Sequence, residues 1–251
     1  MPLDFARRLV GVDRTAHADR RLGATLAFVA GAMNAGGFLA VHRYTSHMTG
    51  IISGMADDLA TGAVDLAAAG LAALAAFMCG AACSTILVNF GRRRALRSVF
   101  ATPLLLEALL LLAFGLLGAR LADTSALFVP ATVILLCFIM GLQNALITKL
   151  SYGEMRTTHV TGVVTDIGIE LGKMLYWNRS GSGMHPPVRA NTTRLVSLAL
   201  LAASFFGGAL SGALAFQHAG YVATVPLATV LVALAAVPTL DDVVAALRGP
   251  A

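Results

Sequence analysis

Apolar stretches of about 20 residues recur along the whole chain, at roughly 22–41, 66–89, 101–119, 126–148, 195–216 and 221–238. Each is long enough to cross a hydrocarbon core of roughly 30 Å as a helix. Hydrophobic residues make up 57% of the chain and charged residues 12%, against roughly 45–50% and 25% in an ordinary soluble domain. A polytopic membrane protein is therefore expected, with the lipid bilayer as its first partner. Of the three cysteines, Cys79 and Cys83 lie one turn apart inside an apolar stretch and give neither a disulfide framework nor a metal-ligand spacing. No metal and no cofactor is expected. The surplus of 18 Lys and Arg over 13 Asp and Glu reads as a topology signal and not as a nucleic-acid surface.

Residues 1–21 carry too much charge for the core of a cleaved signal peptide and are expected to stay attached as a cytoplasmic N-terminal segment. Two shorter segments, 47–60 and 159–172, are apolar but broken by Gly, Thr, Ser and acids, and are too short to cross comfortably. The positive-inside rule decides whether they cross. With six crossings and a cytoplasmic N-terminus, 16 of the 18 basic residues lie inside, all but Arg43 and Arg120. With eight crossings the division weakens to 11 against 7, and Arg92, Arg93 and Arg94 are pushed outward. The expected fold is all-α: a membrane bundle of six transmembrane helices plus two short re-entrant half helices.

The sequence also repeats. Gly31-Ala32-Met33-Asn34-Ala35 lies over Gly141-Leu142-Gln143-Asn144-Ala145. Further on, Ser46-His47-Met48-Thr49-Gly50 lies over Thr158-His159-Val160-Thr161-Gly162, a register that continues to Asp58 over Glu170. Phe77, Gly80 and Ala81 lie over Phe205, Gly208 and Ala209. Each half then holds three crossings and one short segment, so the second copy enters from the opposite side, the inverted-repeat plan of many secondary transporters. The halves are 22–120 and 121–240, forming one integral domain with a flexible cytoplasmic loop at 178–191 and a cytoplasmic tail at 241–251. Gly36 and Gly37 are expected to loosen the end of the first span. Gly80, Gly207, Gly208 and Gly212 are read as helix-contact positions, and Pro226 and Pro238 as kinks or ends of the last span.

Ser46-His47-Met48-Thr49-Gly50 after the first span and Arg156-Thr157-Thr158-His159-Val160-Thr161-Gly162 after the fourth, with Gly141-Leu142-Gln143-Asn144-Ala145 between, resemble the YoaK-like family of bacterial inner-membrane proteins, domain of unknown function 1275. The resemblance covers roughly residues 20–240. It implies a multi-pass protein of the inner membrane and supplies no activity or catalytic residues.

The chemistry must come from the two short segments, interrupted elements in corresponding places being the cue for a transporter site. If 48–60 and 160–172 are helices entered by extended chain, Ser46 or His47 and Thr158 or His159 sit at their starts. The two N-termini would then face each other near the midplane, each with free N–H donors and roughly half a positive charge. Such a pair favours a small anionic or polar solute. Gly50 and Gly162 would let it approach the backbone, with Thr49, Thr161, Asn34 and Asn144 as further polar contacts. The plainer reading of the glycines and threonines is close helix packing.

His47 and His159 are the symmetric ionisable pair and candidates for proton coupling, together with Asp166 and Glu107. The structural alternatives are a solvated vestibule for Asp166 and snorkelling or an arginine partner for Glu107. Asp57, Asp58 and Asp65 are expected to be solvated at the outer end of the first short segment.

The leading functional expectation is a secondary transporter or facilitator, with proton coupling as a further expectation. The alternative is a non-transporting scaffold or signalling protein on the same duplicated fold. No nucleophile and base, phosphate loop or metal box stands at a recognisable spacing, so an enzyme is not expected. Homo-oligomerisation is left open.

Overall fold

Lipid offers no hydrogen bonds to the backbone, so apolar segments of this length close their own as helices. The computed structural model describes residues 16–41, 44–96, 98–121, 125–150, 160–177 and 187–248. Among them are helices and turns but no strands. The helices are α1 (Ala16–Val41), α2 (Met48–Ala60), α3 (Val64–Arg93), α4 (Ala101–Leu121), α5 (Ser125–Leu150), α6 (Val160–Leu175), α7 (Thr192–Ala219) and α8 (Thr224–Arg248). Five segments are long and apolar enough to cross a membrane: Arg20–Leu39, Val64–Arg93, Ala101–Ala119, Pro130–Lys149 and Thr192–Val244. The last is 53 residues long and contains both α7 and α8. They are separated by the 3₁₀ turn Gly220–Ala223, whose first residue has φ +56°, a left-handed conformation suited to glycine.

The short segments are shorter than any of these. At about 1.5 Å per residue, the 13 residues of α2 span roughly 20 Å and the 16 of α6 roughly 24 Å, less than a hydrocarbon core of about 30 Å. Val64 and Thr192, at the starts of α3 and α7, align in the repeat.

Two local expectations change. Gly36 and Gly37 do not loosen α1. Both are buried within it, with the Phe216 ring over Gly36 and the Leu136 side chain over Gly37, so their lack of a side chain makes room for neighbours. The last helix does not end at Pro238 but continues to Arg248, so residues 241–248 extend α8 and are not a separate tail. Asp242 explains why the extension is held: its carboxylate accepts hydrogen bonds from the Ser98 backbone N–H and hydroxyl, fastening α8 to the turn before α4. The expected loop at 178–191 lies outside the described residues except for 187–191, which are neither helix nor strand.

The most extensive helix pairs join α1 to α7 and α3 to α5. Both pairs bring backbones together at glycine. A Cβ at Gly31 would overlap the carbonyl oxygen of Phe205, and one at Gly208 that of Phe28. In the other pair, a Cβ at Gly141 would overlap the carbonyl oxygen of Phe77, and one at Gly80 that of Phe138. Gly212 closes onto the Ala32 backbone. Gly207 faces open space, so it is not the contact position that the sequence suggested.

A third pair is formed by α4 packing along α8. Leu22, Leu26, Leu104, Leu111, Met140 and Leu231 belong to one fully buried cluster. Large side chains such as Leu71, Ile86, Phe90, Leu116 and Phe206 point outward, as expected where lipid replaces water.

Candidate functional site

The break between α1 and α2 opens a cavity of about 650 Å³. It lies among the end of α1, the 44–47 turn, α2, α3 and α5. The turn is set by a hydrogen bond from the Ser46 hydroxyl to Asn34 Oδ1, 2.8 Å, so two expected site residues meet and hold the chain where it leaves α1. The Ser46 hydroxyl is thereby committed, and α2 starts without a side-chain cap. His47 occupies the cap position and makes no capping bond; only its carbonyl is engaged, by the Ile51 N–H at 3.1 Å. The first N–H groups of α2 are left without side-chain caps. The His47 ring folds over Gly50, and both line the cavity.

The remaining wall is mostly apolar, from residues such as Ile51, Met55, Ala73 and Val133. Its other polar members are Thr45, which is 2% exposed, and Asp58. Phe38 and Tyr44 stack at the rim with ring centroids 4.5 Å apart. An apolar chamber of this size with a few placed polar groups is the usual form of a small-molecule site, about 300–1,000 Å³.

The other expected residues are placed differently. Thr49 is exposed on α2 and does not line the cavity. Thr161 and Gly162 are exposed in the first turn of α6, and Thr158 and His159 lie outside the described residues. Asn144 is half-buried late in α5, where its carbonyl accepts from Thr148. Among the described residues α2 packs on α3, and α6 on α7. Each packs against the long helix that follows it in the chain: Met48 and Ile51 of α2 are partly buried there, while α6 buries Val163 and Glu170.

Asp166 and Glu170 are joined to the start of α7. Glu170, 1% exposed, accepts from Lys173 Nζ at 2.9 Å and from the Asn191 N–H at 2.7 Å. Arg194 approaches it at 3.9 Å and pairs with Asp166 at 3.0 Å. The Asn191 side chain caps α7 by accepting from the Arg194 N–H. Asp166 is thus an ion-pair partner. The Lys173 hydrogen bond, followed by that of Asn191, holds the Glu170 carboxyl below its ordinary value. A lowered folded-state value stabilises the fold above the ordinary carboxylate range, and this contribution is lost as pH falls through the lowered value. The melting temperature of the wild type should therefore fall on acidification below about pH 4.3, the ordinary glutamate value, more steeply than that of Glu170→Gln. Equal slopes would show that this contact does not hold α6 to α7.

Glu107 has neither of its structural alternatives. It is 0% exposed, and among the described residues neither carboxyl oxygen has a hydrogen-bond partner. The Ser84 hydroxyl and Gln143 Oε1 are buried and unpartnered as well, while Gln143 Nε2 reaches the Leu26 carbonyl at 3.4 Å. An ionisable residue inside a membrane bundle marks a functional position by default.

Asp58 is the residue that sequence reasoning misplaced, since it faces a cavity and not bulk solvent. The signal was present in its alignment with Glu170, which is also drawn inward.

A family model described as "Protein of unknown function (DUF1275)" matches residues 22–237, and the chain belongs to that family. No curated protein and no solved structure matches it.

Proposed function

We propose, with membership of that family as the premise, that the protein is a secondary transporter or facilitator for a small polar organic solute, bound in the cavity at the start of α2. The single observation that carries this reading is that chamber, apolar-walled and edged by the uncapped first turn of α2, in a chain otherwise made of long apolar helices.

The fold proposed with it has six crossings, α7 and α8 each supplying one, and two inverted halves. The paired glycine contacts support the inversion. Phe28 and Gly31 align with Phe138 and Gly141, and Phe77 and Gly80 with Phe205 and Gly208, so the two cross-half contacts are the same contact made twice. The termini would lie in the cytoplasm of a bacterial inner membrane, as the basic residues suggest. Movement of one half against the other would expose the chamber alternately to the two sides. The described lining residues include no Lys or Arg, which favours a polar over an anionic solute. Glu107 is the residue proposed to carry a proton.

Reconstitution into liposomes tests the reading. Saturable flux of polar organic solutes is expected, and Gly50→Leu, which displaces the His47 ring and fills the chamber, should reduce it at least tenfold while the protein stays monodisperse. Folded wild-type protein with no flux of any solute would favour a scaffold on the same fold.

A further inference from the structure

The cavity has one carboxylate in its wall, that of Asp58, and no Lys or Arg among its described lining residues. Its counterpart by repeat, Glu170, is neutralised by Lys173 and approached by Arg194. The positions aligned with those two cations are Thr61 and Leu66, neither of which carries a charge. The Asp58 side chain makes no hydrogen bond or ion pair among the described residues; the Thr61 hydroxyl bonds only the Asp58 backbone carbonyl. Asp58 also lies in the last turn of α2, where the helix dipole adds negative potential instead of offsetting it. The chamber therefore holds a negative charge that its described lining residues leave uncompensated, in a mostly apolar wall.

We propose that this cavity takes an amphipathic organic cation, its charged group at Asp58 and its apolar body against Ile51, Met55 and Val133, as the substrate class of the transport site proposed above. The inference rests on that site but not on transport itself. The free N–H groups at Met48–Gly50 are about 12 Å away along α2 and would take a hydroxyl or carbonyl of the same solute. A purely anionic solute would share the chamber with the Asp58 carboxylate.

Two probes of like shape and opposite charge, phenethylammonium and 3-phenylpropanoate, decide the matter by calorimetric titration of the full chain in nanodiscs, with empty nanodiscs subtracted. Phenethylammonium should bind at least tenfold more tightly. Asp58→Asn should remove that preference, while Asp57→Asn, an exposed neighbour outside the lining, should keep it. Because the Asp58 side chain makes no contact that holds the fold, Asp58→Asn should elute and melt as the wild type does. Equal affinities, a preference for the anion, binding of neither probe, or a preference that survives in Asp58→Asn would each overturn the inference. Failure of the transport reading looks different: selective binding of the cation with no flux in liposomes would leave the ligand class standing. Flux of anions alone would keep transport and remove the class.

Discussion

Gly208→Leu will leave little folded protein, while Gly207→Leu, one residue away on α7, will melt like the wild type. The two differ only in what their Cβ meets. At Gly208 the nearest atoms are the backbone of Phe28, which cannot rotate aside, so α7 and α1 must separate along their length. At Gly207 there is open space. Alanine sharpens the contrast. Replacing an interior helical Gly by Ala stabilises by roughly 1 kcal/mol through propensity alone. Gly207→Ala should show that gain. Gly208→Ala should instead lose about 3 kcal/mol, the upper end of ordinary overpacking, because both sides of the clash are main chain. Gly80→Ala, against Phe138, should cost about as much again. Thermal melts of purified protein with monodispersity as the second readout would measure all of these. Equal effects at Gly207 and Gly208 would mean that α1 and α7 do not meet as described.

Glu107 should show the opposite relation between stability and activity. A buried polar group without a partner costs about 1–3 kcal/mol, and among the described residues no hydrogen bond to Glu107 offsets it. Glu107→Leu removes the polar atoms while keeping nearly the same volume, so it should raise stability by an amount in that range. It should also abolish any flux driven by a pH gradient, because the group proposed to carry the proton is gone. Glu107→Gln separates the two effects: it retains an unsatisfied polar side chain and should not stabilise, yet it should lose coupling equally. If Glu107→Leu destabilises the protein, the carboxyl has a structural partner and the proton-carrying role fails on that measurement alone.

The positions of Glu107 and Asp58 also show where sequence reading reaches its limit. Six residues along α4 from its start, Glu107 is close enough in chain to Arg92–Arg94 for an ion pair to be a reasonable expectation. Yet Arg92 lies over the Phe100 ring and Arg94 over the Phe90 ring, at 6.0 and 5.4 Å, and the carboxyl is left in the core. The periodicity of α4 could not show this, because it is apolar on nearly every face and so does not say which face is inside. Asp58 and Glu170 align and are both drawn inward, but only one has cations within reach. That difference depends on the packing of α6 on α7, which chain spacing does not specify.

The helices themselves, and the contrast between the long ones and the two short ones, were legible in residue order. In lipid, backbone hydrogen bonding and hydrocarbon thickness act on each segment separately. The duplication was legible too, since Gly31 and Gly141 or Phe77 and Phe205 are matched letters. Tertiary structure alone decided that α1 pairs with α7 and α3 with α5, that α2 and α6 rest on separate neighbours, and that a chamber opens beside Asp58. Those outcomes depend on which surfaces approach closely enough to exclude lipid and water. That depends on shape in three dimensions, where a missing Cβ at Gly208 matters only because Phe28 lies opposite.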